Sequence, residues 1–395
     1  MNILIFSQYY NPEQFLINEI TPELVKAGHK VTVVTGLPNY PSGVIEKEYR
    51  KGRRKENIDG VNVIRCPIIP RGKNKIQLLL NYMSYMLSAT AVSSRLENNF
   101  DAVVSYQLTP IFQVFPAIRY ARKNGLKLMM YNLDLAPMSG NKFAKNKLFL
   151  FSLYAKFSKW IMNSCDCVAV TSKSFIKYNN EVNKVPTEKM VYLPQHASQK
   201  MLESDMTAKE NGIADFMFAG NIAGGTGLDT IVEAAKILKK DSVFKIHIVG
   251  DGSYLPTLKE NVEKAGLSDR FVFHGRHPMS EMPEIYKLAD ALLITLRPGQ
   301  ITVPAKLQTY MTTGKPVFGA MDGSGKDLIN ESGCGVCVDA GDSVSLYRKM
   351  KDYIDDPEKY SGCGKNGTDY FKNNFTLDRF IKDFMKILCD LTKNS

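Results

Sequence analysis

The residues best typed and spaced for chemistry lie in one stretch, residues 295–318, TLRPGQITVPAKLQTYMTTGKPVF. Pro304 suits the first turn of a helix, where a missing N–H costs nothing, and Gly314 suits its end. A helix opening at Val303, Pro304 and Ala305 would present the positive end of its dipole, and Lys306 would converge with it on a negative group. Thr309, one turn on, is spaced to reach a sugar hydroxyl. Taken alone, Lys306 is equally a snorkelling surface lysine.

Other loops have similar chemistry. Gly220-Asn221-Ile222-Ala223-Gly224-Gly225-Thr226-Gly227 follows a strand signal and precedes a helix signal, and its small residues let backbone N–H groups approach a phosphate. Such a loop is as readily a structural tight turn. Gly250 and Gly252 flank Asp251 after the next strand, Arg276 follows Gly275 after another, and Arg297 stands just before Pro298-Gly299. The first strand is followed by Ser7-Gln8-Tyr9-Tyr10-Asn11-Pro12-Glu13 and not by Gly-x-Gly-x-x-Gly, which disfavours a dinucleotide site there. No Asp-x-Asp occurs to announce a metal on a nucleotide diphosphate. Cys334-Gly335-Val336-Cys337 has no second pair nearby and reads as structural.

These loops need parallel strands to hold them in a row. Short Val/Ile/Leu-rich runs alternate with helix-length amphipathic segments along the whole chain, the pattern of α/β architecture. Strands are expected at 2–7, 30–35, 61–65, 101–105, 126–131 and 166–171, then at 215–219, 244–249, 271–274, 291–295, 316–319 and 335–338. With 395 residues, two domains follow: 1–195 and 213–375, joined by a polar, strand-poor linker, with a terminal helix (376–395) that packs back on the first.

Charge divides the halves. Residues 1–195 carry 26 Lys+Arg against 13 Asp+Glu, and the remainder 25 against 27. A basic first half suggests an anionic partner, either a membrane surface or a diphosphate-bearing acceptor, while simple solubility explains it as well. No nucleic-acid motif is present, so nucleic acid is not expected. Residues 46–55 form a basic loop or hairpin. Residues 142–162 combine five lysines (142, 145, 147, 156, 159) with aromatics and Trp160, and residues 76–92 are apolar without them. Both segments suit either sheet packing or a membrane interface. Seven cysteines without framework spacing and an N-terminus that reads as a strand, not a leader, point to the cytoplasm.

The order of motifs resembles the family 4 retaining glycosyltransferases, in particular the enzymes of bacterial surface polysaccharides such as O-antigen, capsule and colanic acid, including the fucosaminyl transferase-like group. The resemblance runs through Tyr9-Tyr10-Asn11-Pro12-Glu13, Gly28-His29-Lys30 with Pro38-Asn39-Tyr40-Pro41, and Phe218-Ala219-Gly220-Asn221. It continues through Val249-Gly250-Asp251-Gly252, Val303-Pro304-Ala305-Lys306, Gly314-Lys315-Pro316-Val317 and Asp322-Gly323-Ser324-Gly325. It implies an α/β GT-B fold, two Rossmann-like doubly wound domains facing across a cleft, with the acceptor in the first and the donor in the second. It implies a UDP-sugar donor, a polyprenyl-diphosphate-linked acceptor, hexosyl or N-acetylaminosugar transfer with retention, no cofactor and no metal. It also implies a place at the cytoplasmic face of the cell membrane.

The departures redirect the site. The broader family has two glutamates seven residues apart, and here those positions are Ile301 and Thr309. The usual Arg and Lys of the loop after the second domain's first strand fall on Asn221 and Thr226, and a histidine of the first domain on Gln107. The diphosphate role therefore passes to Lys306, with Arg297 and then Arg276 behind it. Asp134, in Leu133-Asp134-Leu135-Ala136-Pro137, is expected to orient the acceptor hydroxyl or to cap a loop. Glu13 is expected to face the sugar or to sit at a helix N-terminus. His196 stands at the domain junction. Two other readings remain: a UDP-sugar 2-epimerase, which five histidines serve poorly, and a non-catalytic sugar-nucleotide-binding protein.

Overall fold

The structure is a computed structural model that describes every residue except Lys51, Arg53, Lys73, 137–147, 209–210 and 394–395, together with all side chains but those of 148–150. The chain forms two compact units, Met1–Pro194 with Phe380–Ser395, and Gln195–Arg379.

The first unit is built on an eight-stranded sheet: β1 (Asn2–Phe6), β2 (Lys30–Gly36), β3 (Lys55–Ile58), β4 (Val61–Cys66), β5 (Ala102–Gln107), β6 (Leu128–Asn132), β7 (Cys167–Val170) and β8 (Met190–Tyr192). Their order is β3-β4-β2-β1-β5-β6-β7-β8, parallel except for the antiparallel pair β3–β4. That pair closes through Asp59 and Gly60, both at positive φ (50° and 83°), the two-residue turn that matches strand twist. The helices are α1 (Ile17–Lys26), α2 (Lys47–Arg50), α3 (Lys75–Ser93), α4 (Phe115–Asn124), α5 (Leu148–Asn163) and α6 (Lys173–Glu181). Strand residues are apolar on both faces, as a doubly covered parallel sheet requires. Leu4, Phe6, Val34 and Val103 meet Tyr85 of α3, Ala117 of α4 and Ile161 of α5 in one buried cluster.

The second unit is a six-stranded, wholly parallel sheet of β9 (Ala214–Ala219), β10 (Phe244–Val249), β11 (Phe271–Gly275), β12 (Ala291–Thr295), β13 (Val317–Ala320) and β14 (Gly335–Val338). The order is β11-β10-β9-β12-β13-β14. Around it lie α7 (Asp229–Leu238), α8 (Leu255–Lys264), α9 (Met282–Tyr286), α10 (Ala305–Met311), α11 (Ser324–Ser332), α12 (Ser343–Asp355) and α13 (Ser361–Asn374). Alternate strand residues face opposite ways: Phe216, Phe218, Ile246 and Ile248 into one cluster, Met217, Ala219, Leu292 and Ile294 into the other. Helix α14 (Leu377–Lys393) ends the chain, and its Phe380 packs 5.6 Å from the Tyr131 ring.

Three elements escape a reading by periodicity. β3 hides in the basic segment 46–55 and its continuation, which splits into the single turn α2 and a strand. β8 is only three residues long. Helix α13 holds Gly362, Gly364 and Gly367, poor helix formers, because a Cβ on Gly364 would stand 1.8 Å from the Gly314 carbonyl oxygen. Of the basic amphipathic stretch 142–162, Lys142, Lys145 and Lys147 lie outside the described residues, as does Pro137 beside Asp134. No helix among the described residues is long and apolar enough to cross a membrane.

Candidate functional site

In the second sheet the chain runs outward from β9 through β10 to β11, then returns to β12 and proceeds the other way. The strand order therefore reverses between β9 and β12, and a parallel sheet offers its ligand crevice where loops diverge at such a switch point. Here those loops are Gly220–Gly227 and 296–304.

Close backbone packing explains the glycines. Gly220, Gly250 and Gly252 have φ of 146°, 131° and 156°. A Cβ on Gly250 would lie 2.0 Å from the Gly220 carbonyl oxygen, and one on Gly252 2.2 Å from that of Ile222. The loops after β9 and β10 thus interlock, aided by Gly220 N–H to Val249 O (2.9 Å) and Ile222 N–H to Asp251 O (2.9 Å). Asn221 is exposed beside this seam, and Gly224 opens a short 3-10 turn. The loop after β12 is stitched on by Arg297 N–H to Gly225 O (3.1 Å) and by Thr295 Oγ1 donating to Thr226 O (2.6 Å). A Cβ on Gly227 would stand 2.8 Å from the Leu296 carbonyl.

Lys306 enters this seam from α10. Its Nζ sits 3.8 Å from the centroid of the Phe218 ring and 3.0 Å from the point where a Gly220 Cβ would be. The Nζ is buried, and no hydrogen-bond partner reaches it among the described residues. Burial pushes its pKa down to about 8. An ammonium held against a ring face with its donors unused stands ready for an anion, and the adjoining crevice is where one would sit. Lys315 is also brought down to about 8 by burial, but Asp290 and Asp205 pull it the other way, so it lacks that demand.

Pro304 does not lie in the first helical turn. It is the residue before α10 (φ −66°, ψ 130°), because its ring fixes φ while the extended ψ turns the chain into the helix. Helix α10 has seven residues, so its dipole is small and the local positive charge is chiefly that of Lys306. Val303 packs inward, Ala305 is exposed, and Thr309 is half-buried one turn beyond Lys306. The other two cations are arranged differently. Arg297 is exposed and pairs with Asp229 Oδ2 at 3.8 Å, over the Tyr254 ring at 5.8 Å. Arg276 is exposed after β11, the edge strand, with β10 between it and β9. The fold brings together Gly220, Asn221, Gly250, Gly252 and Lys306; Arg276 stays apart. Among the described residues no three His, Cys, Asp or Glu side chains group as metal ligands.

In the first unit, Glu13 is four residues ahead of α1 and so not in its first turn; the cis Asn11–Pro12 bond precedes it. Its Oε1 accepts the N–H groups of Asn39 (2.7 Å) and Tyr40 (2.5 Å), fastening the loop after β2. Burial raises its pKa against those two bonds. Asp134 is half-buried, and its Oδ2 accepts the Thr109 N–H at 2.8 Å as a loop cap. His196 is buried in the second unit. Two features were not legible in spacing: the Phe218 ring beneath Lys306, and Arg71, held by the hydroxyls of Tyr9 (3.1 Å) and Tyr82 (3.4 Å).

Comparison with known proteins agrees with this fold. Residues 16–196 match the family described as Glycosyl transferase 4-like domain, and residues 203–370 match Glycosyl transferases group 1. The chain is 24% identical over 338 residues to WcaI of Escherichia coli (strain K12), named as a colanic acid biosynthesis glycosyl transferase, covering 80% of this chain and 82% of that one. Among solved structures it resembles the sucrose-phosphate synthase of Thermosynechococcus elongatus (TM-score 0.76, 15% identity, 100% of both chains). It also resembles Anabaena HepE in complex with UDP (TM-score 0.72, 12% identity, 99% of this chain and 100% of that one).

Proposed function

The chain belongs to the family 4 glycosyltransferases and has their GT-B fold, and from that premise we propose that it transfers a sugar from a UDP-sugar to a polyprenyl-diphosphate-linked acceptor, with retention, in bacterial surface polysaccharide synthesis. The observation that carries the donor half is the buried Lys306 ammonium, without a hydrogen-bond partner among the described residues, against Gly220 at the switch point of the second sheet. UDP bound to HepE, a protein of the same fold, supports a nucleotide-sugar donor.

In the proposed reaction the bond from the sugar's anomeric carbon to the diphosphate oxygen breaks, and UDP leaves with the bonding pair. The acceptor hydroxyl oxygen bonds to the same carbon from the same face, and its proton passes to the departing phosphate oxygen. Negative charge grows on the diphosphate as this happens, and Lys306 with the backbone N–H groups of the Gly220 and Gly250 loops neutralises it, the compensation a divalent ion gives elsewhere. Thr309 takes a donor hydroxyl. Asp134, with Glu13 holding the neighbouring loop, orients the acceptor. WcaI, named for a surface polysaccharide, supports the acceptor class, and the basic first half suits a membrane-bound anionic substrate at the cytoplasmic leaflet.

The test is incubation of the protein with a panel of UDP-sugars and bacterial lipid extract, with and without a chelator. A lengthened lipid-linked glycan in both cases is expected. A new free UDP-sugar would mark an epimerase, and donor binding without any product would mark a non-catalytic binder.

A further inference from the structure

A cavity of about 490 Å³ lies in the second unit, away from the loops around Lys306. Ligand pockets span about 300–1,000 Å³, so it has room for a small molecule. Asp290, immediately before β12, and Lys315, just ahead of β13, both line it. It therefore sits where these strands begin, whereas the donor loops sit where strands finish. The five residues of β12, at about 3.3 Å each, hold the two places about 17 Å apart.

Three of the lining residues keep a polar atom without a hydrogen bond among the described residues. Lys315 is only 6% exposed, and its ammonium makes neither a hydrogen bond nor an ion pair among them. Asp290 and Asp205, which also lines the cavity, are close enough to act on that charge without bonding to it. Asp290 Oδ2 accepts the Asp215 N–H at 2.8 Å, which leaves its Oδ1 unused. The Tyr353 ring is fixed against Phe318 (5.4 Å) and Phe216 (5.8 Å), and its hydroxyl is unbonded. Thr312 and Thr313 add two hydroxyls that already donate to carbonyl oxygens of α10 (2.7 Å each), so they have only lone pairs to offer.

The mixture of signs selects the ligand. Lys315 repels a cation, and Asp205 and Asp290 repel an anion. An apolar molecule would leave all of these groups unbonded, at a cost. A hydroxyl placed between the ammonium and a carboxylate accepts from the first and donates to the second. Several hydroxyls on one rigid ring satisfy several such gaps at once. We propose that this cavity is a second carbohydrate site, which takes a neutral pyranose whose hydroxyls bridge Lys315 to Asp290 and Asp205 and reach the Tyr353 hydroxyl. The pyranose is either a free monosaccharide or the end of a glycan. It is not the donor sugar, and the site exists whether or not the transfer reaction is assigned correctly.

The experiment is saturation-transfer NMR on the full chain, with UDP in excess, against neutral hexoses, N-acetylhexosamines and their trisaccharides. At least one pyranose should receive saturation that UDP does not displace. Equal signals from monosaccharide and trisaccharide would identify a free sugar as sufficient, and a signal from the trisaccharide alone would identify a glycan end. Lys315→Met should weaken the binding at least about tenfold. Tyr353→Phe should weaken it about threefold, and because it keeps the ring packed it tests the site even if Lys315→Met folds poorly. Both variants should bind UDP like wild type. Binding by no sugar, displacement by UDP, or unchanged sugar affinity in both variants would overturn the proposal. So would binding of zwitterionic amino acids in place of sugars.

Discussion

Lys306→Met removes a charge while keeping most of the aliphatic volume over Phe218. Burial holds the ammonium at about 8, from 10.5 in an exposed lysine. Between those values the unfolded chain binds more protons than the folded one, so stability rises with pH. The penalty is complete below pH 8, shrinks through the interval and is gone above 10.5. Its size is on the order of 3 kcal/mol at neutral pH. The variant should therefore melt higher than wild type at pH 7, by up to about 10 °C, and the difference should close toward pH 10. Ligand binding runs the other way. A diphosphate beside the ammonium restores its ordinary pKa, so wild type should take up about half a proton per UDP at pH 8, read by calorimetry in buffers of different ionisation enthalpy. Lys306→Met should take up none and bind UDP at least about tenfold more weakly. A variant with unchanged melting temperature, unchanged UDP affinity and no loss of proton uptake would refute the assignment of Lys306 to the diphosphate.

Two further predictions concern the loops. Gly250→Ala forces a Cβ to within 2.0 Å of the Gly220 carbonyl oxygen at φ 131°, and should cost about 1–3 kcal/mol or more and abolish UDP binding. Gly224→Ala meets nothing within 4 Å and should stay within about 0.5 kcal/mol; equal effects of the two in urea unfolding would contradict the interlocked-loop account. Glu13→Ala removes the acceptor for two backbone N–H groups and should destabilise by about 1–3 kcal/mol. Glu13→Gln keeps an accepting oxygen and sheds the charge that burial penalises, so its loss should be less than half as large, with the gap to wild type widening as acid protonates the wild-type carboxyl and relieves its burial penalty.

Much of this molecule is written along the chain. Parallel strands buried on both faces appear as short unbroken apolar runs, and helices between them keep their 3.6-residue period, so most elements and both sheets are legible locally. The glycine loops are legible too, since positive φ and backbone contact leave few alternatives to glycine. Where local preference and tertiary demand conflict, the chain misleads. Gly364 and Gly367 argue against a helix, yet α13 needs them because Gly314 and Cys334 press against it. β3 is masked by the charges of residues that an edge strand leaves in water.

The sequence by itself determined the family, the two-sheet architecture and the candidacy of Lys306, because these depend on motif order and periodicity. Tertiary structure decided how the cations of the second unit differ. Lys306 is enclosed over Phe218 with no hydrogen-bond partner among the described residues, Arg297 lies beside Asp229, and Arg276 stands behind an intervening strand. It also decided that α3 buries Asn81, Tyr85, Ala89 and Ser93 and leaves Leu79, Leu80 and Leu87 exposed. Burial and pairing belong to positions in space, and residues as distant in the chain as Phe218 and Lys306 acquire them only when the sheet aligns its strand ends.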